Sequence, residues 1–330
     1  MCSLWRRMPE AHPGIRWQDR VWGHLELLRL DHGTKNLFVI PGILIPLSFR
    51  RDLIAWDLVP RILLGFLAVT LIASSNYVIN ELMDAPYDRF HSVKSSRPTV
   101  RGVIILPAAY AQWLGLMVVG LWIGVQLSVY FTIVLAALWI MGCIYNLPPV
   151  RTKDVPYVDV LSESINNPLR LLLGWYMVPT TLIAPASLLL SYWMTGAYFM
   201  ALKRFSEYRE IADAAVAGAY RRSFRFYSER NLLVSVVFYA ATSMLFFGAF
   251  LIRYRMELVL TFPLIAWVMT VYFLIAFKKN SPVQHPEKLH REPMLVVAVV
   301  LCAVGMGLFL WVDVPALQMI FAPTLPVAGR

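Results

Sequence analysis

The chain has 330 residues, of which 58% are apolar and only 15% charged, and its mean hydropathy is +0.60. Soluble proteins are about 45–50% apolar and about 25% charged, so this composition excludes a compact soluble enzyme, a disordered chain and a disulfide scaffold. It indicates an all-α polytopic membrane protein. The net charge of +10 does not require a nucleic-acid partner, because membrane proteins concentrate Lys and Arg in their cytoplasmic loops.

Nine stretches approach or reach the roughly 20 apolar residues that a transmembrane helix needs. In chain order they lie near 36–49, 60–79, 103–126, 128–146, 158–177, 180–202, 231–252, 257–277 and 294–312. Before the first span, Trp17 to Leu30 has apolar residues at helical spacing. This spacing predicts an amphipathic helix on the inner membrane surface, with a solvated arm as the alternative.

The distribution of Lys and Arg predicts the orientation. With the N-terminus inside, the inside segments hold 23 of these residues and the outside segments hold 6. We therefore expect a protein of the plasma (inner) membrane with a cytoplasmic N-terminus and an extracytoplasmic C-terminus. Its parts would be a cytoplasmic arm at 1–35, a nine-span domain at 36–312 and a short extracytoplasmic tail at 313–330.

Acidic and amide side chains cluster at the cytoplasmic end of the second span. Asn80, Asp84 and Asp88 are four residues apart, so they share one helix face at about 6 Å per step. Such a set suits Mg²⁺, which proteins hold by one or two carboxylates together with substrate phosphates. A solvated helix end would be the usual interpretation, but Lys94 and Arg97 follow at once. Metal ligands beside bases predict a diphosphate site on the cytoplasmic side.

The fourth and sixth loops repeat this mixture of acids and bases. The fourth loop contains Tyr145 and Lys153 and leads to Asp159. Arg170 follows inside the fifth span, where an ionisable side chain is costly and is therefore a candidate for function. A salt bridge from Arg170 to Glu163 is the alternative. The sixth loop carries three further candidates, Lys203, Arg204 and Glu207.

These features together resemble the UbiA superfamily of intramembrane prenyltransferases, whose first signature is N-D-x-x-D-x-x-x-D. This chain reads N-E-L-M-D-A-P-Y-D at 80–88, and the resemblance covers essentially the whole chain. It implies a UbiA-type bundle of nine transmembrane helices around a cytoplasm-facing cavity.

Within the superfamily, the chain looks most like the decaprenyl-phosphate phosphoribosyltransferase branch. The features that carry this likeness are T-K-N-L-F-V at 34–39, His91, Lys94, Arg97-Pro98, Gly102, the spacing of Asp159 and Arg170, K-R-F-S-E at 203–207 and Pro286-Glu287. Two departures stand out. Glu81 replaces an aspartate, and the sixth loop lacks a second D-x-x-x-D motif and offers Glu207, Glu210 and Asp213 instead. Whether one of those acids binds a second metal stays open.

The resemblance implies a Mg²⁺-dependent transferase that moves 5-phosphoribosyl from phosphoribosyl diphosphate to a polyprenyl (decaprenyl-type) phosphate. Prenyl transfer to an aromatic or other small acceptor is the alternative, and a transporter or lipid-binding membrane protein is a third. Expected partners are the polyprenyl lipid, the diphosphate-bearing donor and membrane lipids, and a homo-oligomer is compatible with the sequence. The expected metal ligands are Asn80, Asp84 and Asp88; the expected catalytic residues are Asp84, Asp88 and Asp159; the expected substrate-binding residues are Lys94, Arg97, Tyr145, Lys153, Arg170, Lys203, Arg204 and Glu207.

Overall fold

A computed structural model describes residues 14–88, 94–211, 218 and 221–322. These residues form helices and loops, and no strand occurs among them. The α-helices, numbered in chain order, are α1 (Trp17–Glu26), α2 (Ile40–Phe49), α3 (Leu58–Asp88), α4 (Leu106–Leu127), α5 (Val129–Asn146), α6 (Val158–Ser164), α7 (Asn166–Met177), α8 (Ala186–Ile211), α9 (Glu229–Tyr254), α10 (Phe262–Ala276), α11 (Pro293–Trp311) and α12 (Pro315–Ile320). The predicted all-α class is confirmed.

Six helical segments are long and apolar enough to cross a membrane. They are Leu58–Pro86, Leu106–Leu127, Val129–Asn146, Glu229–Tyr254, Met256–Ala276 and Pro293–Trp311. Each coincides with one of the predicted spans, so the chain is an integral membrane protein. The predicted total of nine spans stays a prediction.

The other three predicted spans differ from a single apolar helix. The first corresponds to α2, whose ten residues extend only about 15 Å, after a 3₁₀-helix at Leu30–Val39. The fifth is divided into α6 and α7, because Pro168 has no N–H to donate to the carbonyl of Ser164. The sixth begins at Ala186 and continues as α8 into the charged segment that starts at Lys203.

The helices pack as two groups that meet at α7. The first group contains α2, α3, α4, α5 and α7, with Phe131 and Leu135 at its core. The second contains α6, α8, α9 and α10, with Phe205 and Leu232 at its core. The helix α7 contacts α2 through two glycines, Gly42 and Gly174, which let the backbones touch. The ends of α3, α5 and α8 and the start of α6 therefore come together where the groups meet.

The predicted amphipathic segment forms the helix α1, packed beside the start of α4. Gly23 lies against Val103, and Nδ1 of His24 is 2.9 Å from Oε1 of Gln112. Trp17 and Trp22 are exposed on α1. Exposed tryptophans are typical of membrane interfaces, so the location of α1 at the inner surface stays a prediction that this geometry supports.

Candidate active site

The face of α3 that carries Asn80, Asp84 and Asp88 lies against α5 and the loop after it. Nδ2 of Asn80 donates to Oδ1 of Asn146 at 2.7 Å. Nζ of Lys153 donates to Oδ1 of Asp84 at 2.5 Å and to Oδ1 of Asn146 at 2.9 Å. The structure therefore brings the predicted metal-ligand face and Lys153 together, with Asn146 between them.

Two arginines add positive charge at this face. Nη2 of Arg151 donates to Oδ1 of Asp84 at 3.1 Å, and Nη1 of Arg97 donates to Oδ2 of Asp88. Both arginine side chains are largely buried, as is Asp88. Each carboxylate is thus neutralised by a cation from a different loop, one loop following α3 and the other following α5.

Lys153 is buried among these groups. Burial lowers its pKa to about 8, and the carboxylate of Asp84 acts in the opposite direction by favouring the charged form. A lysine in this state is charged at neutral pH and close to losing its proton, so the charge at this point of the site depends on pH.

A second cluster, centred on Arg204, joins α5, α6 and α8. Nε of Arg204 donates to Oδ2 of Asp159 at 3.1 Å, and its Nη1 donates to Oε2 of Glu207 at 2.8 Å. Its Nη2 donates to the hydroxyl oxygen of Tyr145 at 3.1 Å. All three nitrogens of this buried guanidinium have partners, so Arg204 holds the cluster together.

The carboxylate of Asp159 is fully buried and satisfied by hydroxyl groups as well. The hydroxyl of Tyr227 donates to Oδ1 at 2.6 Å, and Oγ of Ser223 donates to Oδ2 at 3.3 Å. Burial beside this carboxylate raises the pKa of Tyr227 above its usual range, which keeps the hydroxyl protonated. Nη2 of Arg221 donates to the hydroxyl oxygen of Tyr145 at 2.8 Å and extends the cluster toward the loop before α9.

Three predicted substrate-binding residues are not among the contacts described above. Arg170 is buried in α7, about one turn beyond Asn166, and neither cluster includes it. Lys203 is partly buried in α8, and its predicted role stays a prediction. The backbone of Lys94 begins a short 3₁₀-helix, Lys94–Ser96, but its side chain lies outside the described residues, as do His91 and Asp213.

The sequence was compared with known protein families. The sequence profile of the UbiA prenyltransferase family matches residues 51–291, which is more than half of the chain. The chain belongs to the UbiA prenyltransferase family. Membership of a prenyltransferase family favours the enzyme interpretation over the transporter alternative.

Solved structures share the UbiA fold. A UbiA homologue from Archaeoglobus fulgidus bound to DMAPP and Mg²⁺ has a TM-score of 0.66 at 20% identity, covering 87% of this chain and 98% of that one. A structure of a UbiA homologue from the same organism bound to GPP and Mg²⁺ has a TM-score of 0.65 at 20% identity, covering 87% and 99%.

A curated relative matches part of the chain. Protein y4nM of Sinorhizobium fredii is 28% identical over 165 residues, which cover 50% of this chain. The matched segment is only 29% of that longer protein, so the chain spans a minor part of its relative.

The departure from the UbiA signature at Glu81 concerns a residue that faces away from the site. Oε1 of Glu81 accepts from the backbone N of Thr99 at 3.4 Å and from its Oγ1 at 3.1 Å. Its Oε2 lies 3.8 Å from Nε of Arg29. The longer carboxylate therefore anchors the loop that carries Arg97, and its charge is not part of the metal-ligand face.

The donor atoms of the UbiA site fit one divalent cation shared with a phosphate. No group of three His, Cys, Asp or Glu side chains suited to a metal occurs among the described residues. Asn80, Asp84 and Asp88 supply hard oxygen donors on one face, and Mg²⁺ takes its remaining ligands from phosphates and water. Asp159 and Glu207 fit a metal less well, because Arg204 already binds both carboxylates.

Several residues of the site were missed from the sequence. No role in the site was predicted for Arg221, which reaches Tyr145, or for Tyr227, which donates to Asp159. Arg151 and Asn146 are close in sequence to the predicted residues Tyr145 and Lys153, and this proximity could have identified them as site residues. Arg221 and Tyr227 gave no comparable signal, because their partners are more than 60 positions away.

Proposed function

We propose that the chain transfers 5-phosphoribosyl from phosphoribosyl diphosphate to a polyprenyl phosphate on the cytoplasmic side of the plasma (inner) membrane. The carrying observation is the cluster centred on Arg204. In this cluster Arg204 pairs with Asp159 and Glu207, the acids nearest to the position of a second metal motif. The same region contains four further cations, which are Arg97, Arg151, Lys153 and Arg221. Because Arg204 already pairs with both of these acids, the cluster favours a second phosphate-bearing substrate over a second metal.

On the donor side, Asn80, Asp84 and Asp88 would hold Mg²⁺. The ion supplies positive charge that stabilises the departing diphosphate. Lys153, Arg151 and Arg97 lie within hydrogen-bonding distance of the two aspartates, so these cations are placed to pass from carboxylate to diphosphate oxygens. Lys94 is proposed as a further diphosphate ligand, on the sequence pattern alone.

The cluster centred on Arg204 would position this machinery. Tyr145 receives hydrogen bonds from both Arg204 and Arg221, so the proton of its own hydroxyl is free to point toward a substrate oxygen. The carboxylate of Asp159 accepts from Arg204, Ser223 and Tyr227, so it acts best as a positioning residue that aligns Arg204. The site is enclosed by membrane helices, which exclude water from the oxocarbenium-like carbon.

Prenyl transfer to an aromatic or other small acceptor is the second candidate. The specific observation in its favour is that the structural neighbours from Archaeoglobus fulgidus bind DMAPP or GPP with Mg²⁺. The donor side described above would serve a prenyl diphosphate equally, since both donors release diphosphate. The acceptor side distinguishes the two, because an aromatic acceptor needs no cluster of cations.

A donor assay with the purified protein tests the proposal. With Mg²⁺ present, the protein should release diphosphate from phosphoribosyl diphosphate only when a polyprenyl phosphate is added, and the product should carry ribose 5-phosphate. A protein that consumes DMAPP or GPP with an aromatic acceptor, and leaves phosphoribosyl diphosphate unchanged, would refute the phosphoribosyl proposal and establish the second candidate.

A further inference from the structure

Arg170 is a buried cation without a counter-ion. Its relative exposure is 8%, its Nε is buried without a hydrogen-bond partner, and no ion pair or hydrogen bond of its side chain occurs among the described residues. The salt bridge to Glu163 that the sequence left open is therefore not formed. A charge inside a membrane bundle is costly unless an opposite charge or hydrogen-bonding group accompanies it.

A second side chain without a partner lies one turn away. Asn166 precedes Arg170 by four residues on α7, so the two share a helix face. Oδ1 of Asn166 is buried without a partner, and no hydrogen bond of its amide occurs within the described segments. A charged donor and an amide therefore share one helix face, and both lack a partner there. A ligand suited to this pair is an oxyanion that accepts from the guanidinium and also forms a hydrogen bond with the amide.

The surroundings of α7 place this face inside the bundle. The helix contacts α2, α3, α5, α6 and α8, so the buried Arg170 lies on a helix that other helices surround. Eleven residues separate Arg170 from Asp159, which at 1.5 Å per residue is roughly 16 Å along α6 and α7. Arg170 thus lies farther along the bundle than Asp159 and the cluster centred on Arg204, and its long side chain can cover part of that separation.

We infer that Arg170 and Asn166 bind the phosphate monoester of the lipid acceptor, farther inside the helix bundle than the cluster centred on Arg204. The identity of the acceptor rests on the proposed function; the need for an oxyanion rests on the unpaired Arg170 alone. An isoprenyl chain at this position would leave the guanidinium uncompensated. A phosphate accepts from Arg170 and from the Asn166 amide, and a protonated phosphate oxygen can donate to the amide oxygen.

The chemistry of the transfer explains why a phosphate would be held there. An oxygen of the acceptor phosphate forms the new bond to the anomeric carbon. The bond from that carbon to the diphosphate breaks, and its electron pair leaves with the diphosphate. Attack comes from the side opposite the leaving group. With the diphosphate beside Asp84 and Lys153 at the mouth, the attacking phosphate belongs on the inner side, where Arg170 lies.

Equilibrium binding to the full-length protein in detergent, without donor or Mg²⁺, tests the inference. The ligands are farnesyl phosphate, farnesol as its uncharged counterpart, and inorganic phosphate as a soluble source of the same anion. Arg170→Met should weaken farnesyl phosphate binding at least about tenfold and leave farnesol binding unchanged, because it removes a charge-assisted contact. Arg61→Met is the matched control, since that guanidinium donates to the carbonyl oxygens of Leu127 and Met177.

Three outcomes would overturn the inference. In Arg170→Met, farnesyl phosphate could bind as in the wild type, or farnesol could weaken by the same factor, which would indicate a packing role. Inorganic phosphate could displace farnesyl phosphate with equal affinity, which would exclude a lipid site.

Should Arg170→Met fail to fold, Asn166→Ala decides, and an unchanged preference for farnesyl phosphate over farnesol contradicts the site. If the donor assay is negative but the wild-type protein still prefers farnesyl phosphate over farnesol, the phosphoribosyl reaction is rejected and the phosphate-binding site is retained.

Discussion

The two aspartates of the metal-ligand face are held by cations from separate loops. Asp84 is bound by Lys153 and Arg151, and Asp88 is bound by Arg97. Before any substrate binds, these pairs keep two carboxylates close together without uncompensated repulsion. The same cations would then be adjacent to an arriving diphosphate.

The charge of each aspartate is therefore expected to be essential. Asp84→Asn or Asp88→Asn should reduce turnover at least about 100-fold, because an amide of similar shape neither binds Mg²⁺ strongly nor orders the cations. Turnover is measured at saturating Mg²⁺, with thermal unfolding in detergent as a check on folding. Asp52→Asn is the control, since Asp52 pairs with Arg50 on an exposed loop. Near wild-type turnover in either site variant would contradict the assigned role.

The burial of Lys153 predicts a pH dependence. Its pKa lies at about 8, below the ordinary lysine value, so the side chain is charged below that pH and neutral above it. Donor binding should weaken as pH rises through about 8, because the contact with diphosphate loses its charge. Lys153→Arg should move this decline to higher pH, since a guanidinium stays protonated. The measurement is kcat/KM for the donor from pH 6 to 10, and identical profiles for the two proteins would exclude Lys153 as the origin.

At the residue scale, the sequence revealed what lies on one helix and missed what tertiary contacts assemble. Asn80, Asp84 and Asp88 were found because a spacing of four residues defines a helix face. The contacts of Arg204 with Asp159, and of Arg221 with Tyr145, join segments 45 and 76 positions apart. No local pattern encodes such pairs. The substrate-binding role of Arg204 stays a prediction, and its three nitrogens contact Asp159, Glu207 and Tyr145.

At the scale of elements, the spans with unbroken apolar sequence were predicted well and the interrupted ones were not. The helices α3 and α9 coincide with predicted spans, because each contains a long stretch of mostly apolar residues. The division of α6 from α7 depends on a single missing N–H at Pro168, which a hydropathy window does not register. The short α2 is similarly determined by what it packs against.

The contact between α2 and α7 gives a sharp test of this packing. A Cβ at Gly42 would lie 1.9 Å from the carbonyl oxygen of Leu171, and one at Gly174 would lie 2.1 Å from that of Val39. Gly42→Ala or Gly174→Ala should destabilise the protein by about 1–3 kcal/mol, because backbone cannot move aside locally. Thermal or denaturant unfolding in detergent measures the effect.

Gly115→Ala is the matched control for these two variants. Gly115 also lies inside a helix, but no atom is within 4 Å of its added Cβ. There the substitution should be neutral or stabilising by up to about 1 kcal/mol, since alanine favours the helix. Equal effects at all three glycines would show that α2 and α7 are not in backbone contact.

At the scale of the whole molecule, the charge distribution agrees with a site at one membrane face. The loops after α3, α5 and α8 supply Arg97, Lys153 and Arg221, and all three belong to segments predicted to be cytoplasmic. The loop between α2 and α3 and the end of α9 lie at the other end of the bundle, where Arg50 pairs with Asp52. Under the proposed function, activity depends on orientation, because the soluble phosphoribosyl diphosphate must reach the basic end.

This orientation can be tested with single cysteines in a background from which Cys2, Cys143 and Cys302 have been replaced. Trp56, in the loop between α2 and α3, is 91% exposed, and Ser96, in the loop after α3, is also exposed. In intact cells, an impermeant thiol reagent should label Trp56→Cys and leave Ser96→Cys unlabelled until the membrane is permeabilised, because 23 of the 29 Lys and Arg residues outside the spans lie on the predicted inner side. The opposite labelling pattern would invert the topology and place the basic site outside the cell, away from cytoplasmic phosphoribosyl diphosphate. Labelling of both positions from outside would show that α3 does not cross the membrane, which would contradict the span that carries Asp84 and Asp88.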